Sequence, residues 1–433
     1  MDARSFSLLA LLLTAAGSAP AQEAPISDGA GRAFQQAQSL CQADAGHLWG
    51  ASLCGPMMLV DPATRRVVAS EADAAGALQA QGGLFVGQLP PGAIMANTAV
   101  EWSGTRWTQL LWPLPEDTGL RAILMAHEMF HRVQPTLPIT SPPAAENAHL
   151  DTLEGRYTLQ LEWRALAAAL QASHPSTRDA AIMDALAFRA ERYRRFPSAM
   201  QEEAALELNE GLAEYTGVMV GGATPEARIL AALHDLRAHV DDRSFVRSFA
   251  YATGPAYGLL LNETAPGWRD RLAQNPRDLG THLREAMGAD LPAGADAVPA
   301  AAARWGGKAL RDAEVTREQQ RLADLDRLRA RFVVGPVLRL DLRSMRIQFD
   351  PNDLQPLEGV GTVYPKMRLT DEWGRLEVTG GAVMRSDWKA VIVEAPHDVR
   401  SLMQGHGWSL SLAPGWSISA GPRPGDYVLA PPR

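Results

Sequence analysis

From Gly119 to about Met287, apolar residues recur at the three-and-four spacing of amphipathic helices, in a stretch rich in Ala and Leu. The pattern predicts a mainly helical domain over 119–292, with long segments around 145–172, 177–195, 198–220 and 225–240. Upstream, over 22–118, one helical stretch (Gly31 to Ala43) is mixed with β-like segments such as Met57 to Val60 and Thr105 to Trp112. Leu89-Pro90-Pro91-Gly92 and Trp112-Pro113-Leu114-Pro115 punctuate these segments. An Ala/Pro/Gly-rich connector (Ala293 to Gly307) and a charged helix (Thr316 to Phe332) fill 293–332. Beyond Gly335 the period changes to two, as in Val337 to Leu342, Leu376 to Val378 and Ala390 to Glu394. Asp350-Pro351-Asn352-Asp353, Gly380-Gly381 and Ala413-Pro414-Gly415 separate these segments as turns. A C-terminal β-domain over 333–433 is expected, and the fold class is α+β.

The first 21 residues read differently. Arg4 precedes an apolar stretch from Phe6 to Ala16, and Ala19-Pro20-Ala21 offers a small-x-small cleavage site. This is the layout of a cleavable signal peptide, and it implies a periplasmic or secreted bacterial protein. No interior run reaches the length of a membrane-spanning helix. Export bears on the two cysteines: Cys41 and Cys54 read as a disulfide, favoured over free or metal-bound thiols.

Composition narrows the function classes. Of 433 residues, 46% are hydrophobic and 21% charged, which excludes a disordered chain. The net charge of -8, with Lys and Arg scattered singly or in pairs, excludes nucleic acid as a partner.

One segment carries chemistry: Leu124-Met125-Ala126-His127-Glu128-Met129-Phe130-His131. Asp117 or Thr118 can cap this helix and Pro135 stops it. His127 and His131 are four apart, so both imidazoles leave one face within reach of one ion. Glu128 lies beside them, where it can take a proton from metal-bound water. The H-E-x-x-H pattern is a known zinc-protease motif. A catalytic zinc needs a third protein donor. The helix expected over 198–220, opened by Ser198 and Gln201 as a capping box and ended by Gly221-Gly222, carries Glu203, Glu207, Glu210 and Glu214. Their spacings of 4, 3 and 4 stack four carboxylates on one face. A solvated face accounts for this, and a divalent cation accounts better for the inner pair, Glu207 and Glu210.

His127-Glu128-x-x-His131 followed by Asn209-Glu210-Gly211-x-Ala213 resembles the gluzincin group of zinc metallopeptidases, which includes thermolysin and the alanyl aminopeptidases. The resemblance implies a gluzincin-like catalytic domain with one Zn²⁺ on His127, His131 and Glu210. It also implies Glu128 as the general base, Glu214 as the carboxylate that orients a ligand histidine, and a peptide or protein substrate. Here 78 residues separate His131 from Glu210, more than in those families, and an inserted helical hairpin at 145–195 would account for them. Glu154 fits the shorter spacing and is the alternative third ligand, without the Asn-Glu-Gly context.

Tyr251-Ala252-Thr253-Gly254 resembles the segment whose tyrosine stabilises the oxyanion in alanyl aminopeptidases, with His234 and His239 as alternatives for that role. Gly92-Ala93-Ile94-Met95-Ala96-Asn97 resembles the strand that anchors a free amine. Ala96 holds the place of its glutamate, which counts against aminopeptidase activity. The expected activity is peptide hydrolysis by a zinc-bound water that Glu128 activates. The competing readings are a catalytically idle envelope protein with a structural zinc helix, and a zinc hydrolase of non-peptide amides or esters.

Overall fold

In the computed structural model, which describes residues 26–143, 145–288, 290, 297–349, 354–396 and 403–432, the chain is α+β. The expected signal peptide and the Asp350–Asp353 turn lie outside the described residues.

The β-like segments before residue 118 form one six-stranded sheet. Its strands are β1 (Met57–Val60), β2 (Arg66–Ala69), β3 (Gln79–Gln81), β4 (Leu84–Gln88), β5 (Thr98–Trp102) and β6 (Thr105–Leu111), in the order β3-β4-β2-β1-β6-β5. Only β1 and β6 run parallel. Strand β1 is covered on both faces, hence its unbroken Met-Met-Leu-Val. Met58 and Val60 join Val67, Ala69 and Trp107 on one side. Met57 and Leu59 join the main core on the other, with residues of α1 (Ile26–Asp44) and α2 (Thr118–Val133).

The helical middle continues with α3 (Leu153–Gln171), α4 (Pro175–Arg195), α5 (Ala199–Leu206), α6 (Leu212–Gly221), α7 (Pro225–Ala238), α8 (Ser248–Thr264), α9 (Trp268–Gln274) and α10 (Leu279–Met287). Helices α3 and α4 form the hairpin between the two motifs. Two shorter-range expectations fail. Ser198 is in the helical region (φ -82°, ψ -16°) and its side chain caps nothing, because an N-cap needs extended backbone. The helix expected over 198–220 is also broken by a π-helical turn, Glu207–Gly211, between α5 and α6.

The Cys41–Cys54 disulfide is formed, with Cα atoms 5.1 Å apart. A bridge closing a loop this short is worth about 3 kcal/mol. Its loop delivers Trp49 onto Phe130, Tyr215 and Trp268, and the indole N–H donates to Thr216 Oγ1 (2.9 Å). Arg132, at the end of α2, donates to the carbonyls of Leu53 and Cys54. The bridge thus ties the loop to the helix that carries the histidines.

Ala297–Arg304 forms helix α11 inside the stretch that reads as a connector, because Arg304 and Trp305 both bind Asp184 on α4. Helix α12 (Gly307–Arg329) then leads to twelve described strands between Val337 and Ala430, in sheets of seven and five strands. Met367–Asp371 alternates buried and exposed residues, and Leu369, Trp373, Leu376 and Val391 fill the space between the sheets. Arg331 fixes this domain to the end of α12 through Glu394 (2.6 Å). Among the described residues, no helix is long and apolar enough to cross a membrane.

Candidate metal centre

Helix α2 begins as expected, with the Asp117 carboxylate accepting from Leu120 N (2.8 Å). Met125, Ala126, Met129, Phe130 and Val133 sink one face of it into the core. His127 and Glu128 are buried as well, at 4% and 5% exposure, so their polar atoms must find partners inside the protein. The one-turn spacing brings His127 Nε2 within 3.0 Å of His131 Nε2.

Small residues decide what meets these rings. On α6, a Cβ at Gly217 would lie 2.8 Å from Ile123 O, and one at Gly221 would lie 2.6 Å from Ile123 N. Two glycines one turn apart therefore let the α6 backbone rest directly on α2. This approach puts Glu214 Oε2 2.7 Å from His127 Nδ1, and Glu210 Oε2 3.6 and 3.4 Å from Nε2 of His127 and His131. The π turn aims Glu210. Its wide pitch frees carbonyls, and Gln134 takes two of them, donating from Nε2 to Leu208 O (3.0 Å) and Asn209 O (3.3 Å). Gln134 Oε1 faces His131 Nδ1 at 3.0 Å. Each imidazole thus has Nδ1 engaged as a donor, which selects the tautomer whose Nε2 is free to bind an ion.

Helix α8 closes the other side. A Cβ at Gly254 would lie 2.2 Å from Gly211 O, so only glycine allows this contact. One turn earlier, the Tyr251 hydroxyl donates to Glu210 Oε2 (2.6 Å), and its ring stacks on His127 at 5.6 Å between centroids. Arg247 Nη2 lies 3.3 Å from Glu210 Oε1. Beyond Tyr251, at 6.2 Å between ring centroids, stands His239, whose Nδ1 is 2.8 Å from Asp242. His234 is exposed on α7.

The four-carboxylate face needs correction. Glu203, Glu207 and Glu210 are buried and Glu214 half-buried, and arginines rather than solvent or a shared cation balance the first two. Arg192 binds Glu203 through two 2.7 Å bonds, and Arg189 binds Glu207 at 2.9 Å. The wide turn separates Glu207 from Glu210, so of the inner pair only Glu210 stands where it could share an ion. Glu154 is also placed elsewhere, paired with Arg311 (2.5 Å) and Arg195 (3.2 Å). Among the described residues, the group of three or more His, Cys, Asp or Glu side chains able to share an ion is His127, His131 and Glu210, with donor atoms within 4.8 Å.

The electrostatics favour positive charge. Burial opposes it on His127, yet Glu210 and Glu214 raise that imidazole to about 10. Burial would likewise raise Glu210, but His127, His131 and the Tyr251 hydroxyl hold it far below the carboxylate range. Burial raises Glu128, with the two histidines opposing, and its Oε2 has no hydrogen-bond partner among the described residues. Burial and then Glu210 raise Tyr251, so its hydroxyl keeps its proton.

Gln134, Arg247 and Asp235 belong to this region and have no signal in a one-dimensional pattern. Asp235 sits on α7 with a buried Oδ2 that has no partner among the described residues, and burial followed by the Glu214 charge pushes it to about 8. An aspartate with a raised folded pKa binds more protons folded than unfolded between about pH 4 and 8, so its contribution falls as pH rises through that window. In metal-free protein, the stability difference between Asp235→Asn and the parent should therefore shift in favour of the variant from pH 5 to pH 8. Urea denaturation at the two values checks this, and a pH-independent difference contradicts it.

No family model, curated protein or solved structure matches this chain.

Proposed function

We propose that this chain is a zinc-dependent peptidase of the gluzincin type that works outside the cytoplasm. The observation that carries the reading is the pairing of a three-donor group with a buried carboxylate, Glu128, one oxygen of which has no hydrogen-bond partner among the described residues. A tetrahedral zinc, bound at about 2.0–2.2 Å, needs donors roughly 3.3 Å apart. The separations of 3.0, 3.4 and 3.6 Å fit that requirement. Three donors leave the fourth position open, which suits a catalytic ion better than a structural one.

Zinc, when bound, supplies a Lewis acid that acidifies water and polarises a scissile carbonyl. Glu128, its basicity raised by burial, accepts the proton of the attacking water and passes it to the leaving amine. Glu214 and Gln134 keep both imidazoles turned toward the ion. Tyr251 holds Glu210 in place with its hydroxyl, and Tyr251, His239 beyond its ring and Arg247 beside Glu210 are the candidates to stabilise a developing oxyanion. The idle-protein reading leaves Glu128 without a task. The disulfide is in keeping with an oxidising compartment, as the N-terminal stretch suggests.

The test is hydrolysis of casein by the purified mature chain. Activity should vanish on chelation and return with about one equivalent of zinc. A fully zinc-loaded chain that leaves casein and a mixed peptide library intact would exclude the peptidase reading.

A further inference from the structure

A cavity lies between α1, the disulfide loop and the ends of α6, α7 and α9. It has a volume of about 310 Å³, at the small end of the range for small-molecule sites. Leu40, Ala43 and Leu48 line it from α1 and the disulfide loop, and Met219 and Val220 from the end of α6. The remaining lining residues are Asp44, His47, Arg228 and Arg269.

The charges do not cancel. Asp44 is occupied within its own turn, accepting from Gly46 N (3.1 Å) and Leu48 N (3.2 Å). Among the described residues Arg228 donates Nε alone, to Gly222 O (3.0 Å), and Arg269 donates Nη1 to Tyr215 Oη and Asn262 Oδ1, each at 2.9 Å. Among the described residues neither guanidinium has a carboxylate partner, unlike the buried Arg156, Arg189 and Arg192. Two guanidiniums against one carboxylate leave a single positive charge beside an apolar wall. A dianion would overshoot that balance, and an uncharged apolar molecule would leave the guanidiniums unused.

We propose that this cavity binds a small aliphatic carboxylate, its anionic end toward Arg228 and Arg269 and its chain against Leu40, Leu48, Met219 and Val220. That chemistry is shared by a medium-chain fatty acid and by the carboxyl end of a short apolar peptide. None of the lining residues belongs to the metal centre, so the inference does not depend on the peptidase reading.

Isothermal titration of the mature full-length chain tests it, with octanoate, octanamide, N-acetyl-leucyl-leucine and inorganic phosphate as probes. One of the two carboxylates should saturate a single site, and which one identifies the source. Octanamide should bind at least about tenfold more weakly, since it loses charge-assisted hydrogen bonds worth about 1.5–3 kcal/mol each. Phosphate should also bind at least about tenfold more weakly, since it has no chain to bury against the apolar wall. Arg228→Gln should weaken the carboxylate about tenfold and Arg228→Lys should recover most of the loss. Ala43→Trp, at the exposed rim, should abolish binding even if the arginine variants fold poorly. Affinity should be equal in zinc-loaded and zinc-stripped protein. The proposal is overturned if neither carboxylate saturates, if octanamide or phosphate binds as tightly, if Arg228→Gln or Ala43→Trp changes nothing, or if binding requires zinc.

Discussion

Replacing Glu128 by Gln is expected to lower kcat about 10³-fold while zinc content stays near that of the parent. The size follows from general acid–base catalysis, worth roughly 10²–10⁴. The separation of the two readouts follows from the geometry. Glu128 is not among the three clustered donors, and its Oε2 accepts no hydrogen bond from the described residues. Glutamine matches it in shape, so the neighbouring rings keep their positions, but it cannot accept the proton. Removing the carboxylate also lessens the negative charge that Glu128 contributes around His127, so zinc affinity falls only modestly. Steady-state kinetics on casein and metal analysis of the same preparation check both halves. Full activity in this variant would remove Glu128 from the mechanism.

Glu210→Ala is expected to cost more in metal affinity than any other single carboxylate change. It deletes one of three donors and also strands the Tyr251 hydroxyl and one Arg247 contact. Removing a residue that only orients a ligand costs about 10–100-fold in affinity, so loss of the donor itself should exceed 100-fold. Glu214→Gln belongs to the milder class, because Glu214 meets His127 at Nδ1 rather than at the nitrogen that faces the ion. Glu154→Ala should leave zinc binding unchanged, since that carboxylate is held on the helical hairpin by Arg311 and Arg195. Its stability cost should be at most about 1 kcal/mol, as for other partly exposed ion pairs. Competition titration against a chelating dye ranks the three variants. Zinc lost in Glu154→Ala and kept in Glu210→Ala would reverse the ligand assignment.

The helix of His127 and His131 was legible because everything that defines it is local: the Asp117 cap, the apolar stripe, Pro135 and the spacing of four. Cys41 and Cys54 were legible for the same reason. Glu210 was reached through its Asn-Glu-Gly context, and the structure brings it to the imidazoles across 78 intervening residues. The π turn was not legible, because the helical period of 198–220 continues through it and the extra residue is stabilised from outside by Gln134, Arg189 and Leu279 N. The arginine partners of Glu203 and Glu207 come from α4, so a reading confined to one helix sees only repelling carboxylates. Gly217, Gly221 and Gly254 are likewise ordinary in sequence. Their purpose appears only where a second backbone lies against them.

The proposed chemistry requires one ion held by two imidazoles and one carboxylate. X-ray absorption at the zinc edge, on the purified mature chain with its metal content determined, tests this most directly. The prediction is about one zinc per chain, with two imidazole nitrogens and oxygen donors at about 2.0–2.2 Å and no sulfur, and loss of the carboxylate contribution in Glu210→Ala. A chain that takes up no zinc, or a zinc shell without two imidazoles, would contradict it.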